Sequence, residues 1–239
     1  MRELRLSYTT HRLVASALVL GFVWSSAPHG RARSEVDHGA PLRGSATVID
    51  GDTISVGDTR IRLEGIDAPE SAQTCRRKWA GSWPCGTAAT HALAAMVADK
   101  TVTCDPRGLD KYGRTLAVCF VDGQDINARM VREGHAWAFI RYSLSYVAEE
   151  AAARGGGLGI WQADTEPAWE FRAHRWTAVE HEAPAGCAIK GNVTRNGRIY
   201  HMPWSPWYGQ IKIDADKGKR WFCTEAEAIA AGWRPVNTH

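Results

Sequence analysis

Between Thr47 and Glu64 apolar and polar side chains alternate with a period of two, and that pattern forces a β meander. Thr47-Val48-Ile49 opens a strand, and Ile54 and Val56 then alternate with Thr53 and Ser55. After the turn signal Gly57-Asp58, Ile61 and Leu63 alternate with Arg60, Arg62 and Glu64. A sheet with one apolar face must cover that face. Arg62 falls on the face opposite Ile61 and Leu63, where an arginine can reach a ligand without being buried.

The following segments supply the cover. Thr87 to Asp99 is Ala-rich, with Leu93, Met96 and Val97 at helical spacing and Thr87 as the expected N-cap. Val102 to Cys104 and Leu116 to Val121 read as two more strands. Asp125 to Glu133 reads as a short helix stopped by Gly134, and Ala136 to Tyr142 as extended. Tyr146 to Arg154 reads as a third helix, ended by Gly155-Gly156-Gly157. The class is α+β, mainly β: a small barrel with helices packed on it, an OB-type barrel being one candidate. Pattern alone leaves closure of the barrel open.

The chain divides into five expected segments. In residues 1–27, Arg2, Arg5 and Arg12 precede the apolar run Leu13 to Trp24, and Ser25-Ser26-Ala27 offers a cleavage site. This reads as an export signal, with an uncleaved anchor helix as the alternative. Residues 28–44 are a flexible lead-in, 45–161 the barrel domain, 162–186 a polar linker or arm, and 187–239 a small C-terminal module. That module has too little apolar material for a large core, so a covalent staple is expected. Of the 239 residues, 29 are Lys or Arg and 26 Asp or Glu, a net charge of +3. Arg2, Arg5 and Arg12 against Glu3 place +2 of that in the signal. Overall charge therefore does not announce a nucleic-acid binder, and any attraction to phosphate must come from a local patch.

Cys75, Cys85, Cys104, Cys119, Cys187 and Cys223 form no CxxC pair. An even number in an exported chain favours disulfides. Cys75 and Cys85 bracket one loop, Cys104 and Cys119 lie in two successive strands, and Cys187 and Cys223 share the last segment. Those three pairs are expected, with a Cys187–His201–Cys223 metal site as the less favoured alternative.

Two short segments carry the candidate chemistry. In VIDGDTISVGDTRIRLEGIDAPE (Val48 to Glu70) the acids Asp52, Asp67 and Glu70 suit a hard divalent cation. Gly51, between Asp50 and Asp52, is expected to permit a bulge that turns both acids to one rim. In DKYGR (Asp110 to Arg114), Gly113 allows an unusual backbone angle. Arg62 and Arg114 form a natural pair for a phosphate. Hairpin turns with a solvated arginine are the bland alternative, and composition alone favours it. Arg76, Arg77, Lys78, Trp79 and Trp83, in the loop after Glu70, are candidate substrate contacts or a solvated loop whose tryptophans pack on the barrel.

The order DGDT, RLxGIDxPE and DKYGR resembles the staphylococcal nuclease (thermonuclease) family across Ser45 to Trp161, including Asn127 to Gly134 and Gly159-Ile160-Trp161. The resemblance implies a five-stranded OB-type barrel with three helices. It also implies calcium-dependent endonucleolysis of DNA and RNA that leaves 3′-phosphate ends. Carried over by motif, Asp52, Asp67 and the Ala68 carbonyl would bind Ca2+, and Glu70 would be the general base. Arg62 and Arg114 would hold the phosphate, Asp50 would support the site, and Lys111 and Tyr112 would line the nucleotide pocket. Ala68 stands where the best-known member has threonine, and Ile140 stands about where a stacking tyrosine is expected, with Tyr142 two residues on. The C-terminal segment resembles a small module that follows such nucleases in bacteria. The alternatives to an enzyme are a non-catalytic oligonucleotide-binding barrel, or a chain whose C-terminal unit is the functional part. The expected protein is bacterial, periplasmic or secreted, and a monomer without integral membrane association after signal cleavage. A partner for the C-terminal module stays open.

Overall fold

A computed structural model describes residues 39–181 and 183–236. The expected signal and most of the lead-in lie outside the described residues.

The meander forms as the alternation dictates. Strand β1 (Leu42–Asp50) pairs antiparallel with β2 (Thr53–Val56), and β2 with β3 (Thr59–Leu63). Helix α1 (Cys85–Val97) follows, then β4 (Thr101–Leu109) and β5 (Thr115–Val121). β4 pairs with β1 and with β5. The parallel pairing of β3 with β5, Ile61 opposite Thr115 and Leu63 opposite Ala117, closes the five strands into a barrel. Ile54, Ile61, Leu63, Val102 and Ala117 fill its interior, and Leu93, Met96 and Met130 join them from the helices. The core is apolar because the period-two pattern sends these side chains to one face of every strand.

Three expectations need correction. Strand β1 starts at Leu42 and not near Ser45, because Leu42 to Ser45 pair with β4. Helix α1 starts at Cys85 behind Pro84, and Thr87 does not cap it. The Gly86 N–H instead donates to the Gln73 carbonyl, so the preceding loop takes over an N-terminal donor. The residues 162–186 are not merely a linker: they contain helix α4 (Ala168–Glu180), preceded by Pro167. Only Ala168 of that helix is fully buried, so it carries no apolar stripe for a sequence reading to find.

The remaining helices behave as read. α2 (Ile126–Arg132) is N-capped by Asp125, whose side chain accepts from the Ala128 N–H, and α3 (Val147–Gly156) ends at left-handed Gly157. Ala136 to Tyr142 is extended only at Trp137–Ala138, which pair with Asp67 and Ile66. The C-terminal module is a small four-stranded sheet of β6 (Ile189–Thr194), β7 (Gly197–His201), β8 (Arg220–Phe222) and β9 (Arg234–Pro235), with α5 (Glu225–Ala230). Its core is Ile189, Tyr200, Phe222, Ala228 and Trp233. Disulfides join Cys75 to Cys85, Cys104 to Cys119 across the β4–β5 ladder, and Cys187 to Cys223. The last rules out the thiolate–His201 metal site. His201 lies buried beside Ser205, and burial pushes its pKa down to about 4. No helix among the described residues is long and apolar enough to cross a membrane.

Asn127 is the polar clip of the barrel closure. Fully buried on α2, it accepts from the Cys119 N–H at 3.2 Å and donates to the carbonyls of Glu64 and Ala117 at 3.0 and 3.2 Å. Asn127→Ala would remove the side-chain partner of the Cys119 N–H and the Glu64 carbonyl where β3 meets β5, while the Ala117 carbonyl keeps the Glu64 N–H. It should cost about 2–4 kcal/mol of unfolding free energy, read from denaturant midpoints at unchanged m-value.

Candidate active site

The turn between β1 and β2 and the segment after β3 bring four acids to one rim of the barrel. Asp50 accepts from the Asp52 N–H at 3.1 Å, and Asp52 Oδ2 accepts from the Ala68 N–H at 2.9 Å. Gly51 makes that approach possible by its size. A Cβ there would lie 2.7 Å from the Ala68 Cβ and 2.9 Å from the Ala89 Cβ. The irregularity in the β1–β2 ladder lies between Val48 and Asp50, before Gly51, so the bulge precedes the glycine expected to form it.

Arg62 projects from β3 into this group. Its Nη1 lies 2.5 Å from Asp52 Oδ1 and its Nη2 2.7 Å from Asp67 Oδ1. It does sit opposite Ile61 and Leu63, but the surrounding acids enclose it and leave its side chain 17% exposed. A second arginine, Arg172 of α4, approaches from outside the barrel. Its Nη2 lies 2.7 Å from Asp67 Oδ2, and its Nη1 lies 3.1 Å from Asp67 Oδ1 and 2.7 Å from Glu70 Oε1. Asp67, fully buried, is thus held between two guanidiniums. Gln73 ties the same loop to the start of α4: it accepts from the Glu70 N–H and donates to the Glu166 carbonyl at 2.7 Å.

Burial dominates the electrostatics. It pushes Asp52 up to about 6, against Arg62 and with help from Asp50. It pushes Glu70 up to about 7, against Arg172 and again with Asp50. Burial disfavours the Arg62 cation too, but Asp52 and then Asp67 more than reverse this and hold it above its ordinary range. Arg172 is raised in the same way by Asp67 and Glu70.

DKYGR forms the tight turn between β4 and β5. Asp110 accepts from the N–H groups of Tyr112 and Arg114, and Gly113 takes a positive φ of 78°. Asp110 Oδ2 also receives Arg114 Nε at 2.6 Å, which fixes the guanidinium. Burial raises Asp110, but Arg114 and these hydrogen bonds outweigh it and hold the carboxyl below its usual range. Lys111 and Arg114 both lie over the Tyr112 ring. Arg114 does not touch the acids; it faces the same cleft, of about 710 Å³, which Asp50, Arg62, Glu70, Lys111, Tyr112 and Arg172 also line.

Tyr142 lines this cleft and Ile140 does not, so the tyrosine two residues on takes the groove position. Arg76, Arg77, Lys78, Trp79 and Trp83 do not line it. Trp79 is 89% exposed, and Trp83 packs near the Cys75–Cys85 disulfide. Arg172, Gln73, Arg60 and Arg107 belong to the site or its cleft, and no sequence pattern singles them out. Arg172 lies in the very stretch whose polarity reads as a linker. Among the described residues no group of three or more His, Cys, Asp and Glu side chains is arranged to hold a metal ion. The acids are instead paired with arginines.

Comparisons with known proteins match the barrel and the C-terminal module separately. The family model described as staphylococcal nuclease homologue matches residues 60–163, and the one described as ArfC matches residues 173–235. An uncharacterized endonuclease of Escherichia coli O157:H7 is 39% identical over 146 residues, 58% of this chain and 86% of that protein. A micrococcal nuclease of Shigella flexneri is 34% identical over 152 residues, 56% of this chain and 82% of that protein. The succinoglycan biosynthesis protein ExoI of Rhizobium meliloti (strain 1021) is 36% identical over 138 residues, 56% of this chain and 72% of that protein.

The Gly51 contacts yield a direct test. Gly51→Ala should push the Asp50–Asp52 turn away from Ala68 and lower stability by about 1–3 kcal/mol, the usual cost of overpacking. Thermal melts would measure this, and an unchanged midpoint would contradict the close packing.

Proposed function

The chain belongs to the staphylococcal nuclease family, and we propose that it is an exported, calcium-dependent endonuclease that hydrolyses DNA and RNA and leaves 3′-phosphate ends. The observation that carries this reading is the convergence of Asp52 and Asp67 on Arg62 and of Asp67 and Glu70 on Arg172, with Arg114 facing the same cleft. Three disulfides fit an oxidising compartment and so support export.

The donor set suits a hard cation. Asp52 and Asp67 are buried carboxylates on one rim whose charge is offset only by guanidiniums, and the Ala68 carbonyl is the third ligand in this reading. A bound cation would polarise the phosphoryl oxygen and offset charge building up on it. The chain's own groups do the rest. Glu70 takes the proton from the attacking water. Arg62 and Arg114 hold the equatorial phosphate oxygens, where their planar forks match growing negative charge. Asp50 fixes the Asp52 backbone, and Lys111 and Tyr112 form the nucleotide pocket wall. Arg172 occupies Glu70 Oε1, so in this arrangement proton uptake falls to Oε2 and the paired guanidinium weakens the base. That contact is also the one observation favouring a non-catalytic, oligonucleotide-binding barrel.

Cleavage assays on end-labelled single- and double-stranded DNA, with calcium and with chelator, separate the two. Calcium-dependent cutting with phosphatase-sensitive 3′ ends is expected, and Glu70→Ser should slow it by roughly 10²–10⁴-fold. Binding without cutting in any condition would establish the non-catalytic reading. Cutting unaffected by Glu70→Ser would remove its assignment as base.

Protons should compete with the cation. With Asp52 raised to about 6 and Glu70 to about 7, both carboxyls take up protons as pH falls through that range. Calcium affinity should therefore drop several-fold between pH 7.5 and 5.5, and titration calorimetry at the two values would show it.

A further inference from the structure

The cleft has two unlike walls. The barrel wall is charged, its cations Arg60, Arg62, Arg107, Lys111 and Arg114 standing among the acids Asp50, Glu64, Glu70 and Asp110. The Nε of Arg60 is enclosed and has no hydrogen-bond partner among the described residues. The opposite wall comes from the C-terminal module and is largely apolar and aromatic: Tyr200, Met202, Trp204, Pro206 and Pro235.

The segment presenting Trp204 is braced from several directions. Ser205 donates its N–H to the Met202 carbonyl, and its hydroxyl meets His201 Nδ1 at 3.3 Å. Arg175 of α4 donates to the Pro203 carbonyl through both Nε and Nη2 at 3.3 Å. Trp176, one residue on, lies with its ring centroid 6.4 Å from that of Trp204. Two prolines, Pro203 and Pro206, further restrict the segment. Trp204 is half-buried, so part of its ring remains open to the cleft.

We infer that the C-terminal module is the base-contacting wall of the substrate cleft, with Trp204 as a stacking platform for an unpaired base of a single-stranded nucleic acid. This rests on the reading of the cleft as a phosphodiester site. Charge complementarity sets the occupant and its orientation. Phosphates face the arginines, and bases face the aromatic wall, the arrangement sequence-tolerant single-strand binders use. Glu225, the acid on the module side, is hydrogen-bonded by the Tyr200 hydroxyl and disfavours a phosphate there. A duplex keeps its base faces stacked inward and offers Trp204 nothing to stack on. The module thus selects unpaired strands, and it does so from outside the residues matched to the nuclease family.

The test uses the full chain in chelator, so that binding is read without cleavage. Fluorescence anisotropy with a labelled oligothymidylate and with a labelled blunt-ended duplex without loops would be measured for wild type, Trp204→Ala and Trp204→Phe. Trp204→Ala should weaken oligothymidylate binding about tenfold, the size of one base–aromatic stack, and leave duplex binding within twofold. Trp204→Phe should restore most of the loss. Equal weakening of both ligands, failure of phenylalanine to rescue, or no change on Trp204→Ala would each overturn the inference. Adding calcium separates this from the catalytic reading. Trp204-dependent binding without any cutting overturns the nuclease reading alone, and cutting with Trp204-independent binding overturns the base wall alone.

Discussion

Asp67 between Arg62 and Arg172 is the contact on which the rest of the rim depends. Buried carboxylates are costly unless paired, and here the acids from the β1–β2 turn and the segment after β3 share two guanidiniums. The barrel supplies one of them and α4 the other. Each arginine bridges two acids, Arg62 joining Asp52 to Asp67 and Arg172 joining Asp67 to Glu70. The network therefore orders the candidate ligands and the candidate base in one array. It also leaves Asp52 and Glu70 readier to accept protons than free carboxylates, because burial outweighs the paired charge.

The barrel was legible because its information is local. Period two in β2 and β3, the turn signals and the Cys104–Cys119 pair fix strands and register without distant contacts. Closure between β3 and β5 was not legible, since it depends on a pairing of residues far apart in sequence and on the Asn127 clip. The acids and Arg62 were found through motif order. Their mutual pairing was not, because the period-two pattern says which face Arg62 occupies but not what fills the space above it.

Arg172 shows where local reading ends. α4 buries only Ala168 fully, so its sequence lacks the stripe that betrays a helix, and a polar, tryptophan-bearing stretch reads as a linker. The Gln73 bond to the Glu166 carbonyl joins loop to helix across 93 positions, beyond any spacing rule. Through α4, with Arg172 on the acids and Arg175 and Trp176 on the segment around Trp204, the barrel rim and the C-terminal module become parts of one cleft. The module's core and disulfide give that wall a fixed shape.

We propose that Arg172, which holds both oxygens of Asp67, stands where a bound cation would, so that the two compete for Asp67. Calcium titration calorimetry on the full chain, wild type against Arg172→Gln, tests it most directly. Removing the competing guanidinium should tighten calcium binding at least about tenfold, with circular dichroism showing an intact fold. Equal or weaker binding by Arg172→Gln would contradict the claim and make Arg172 a structural brace of the acids.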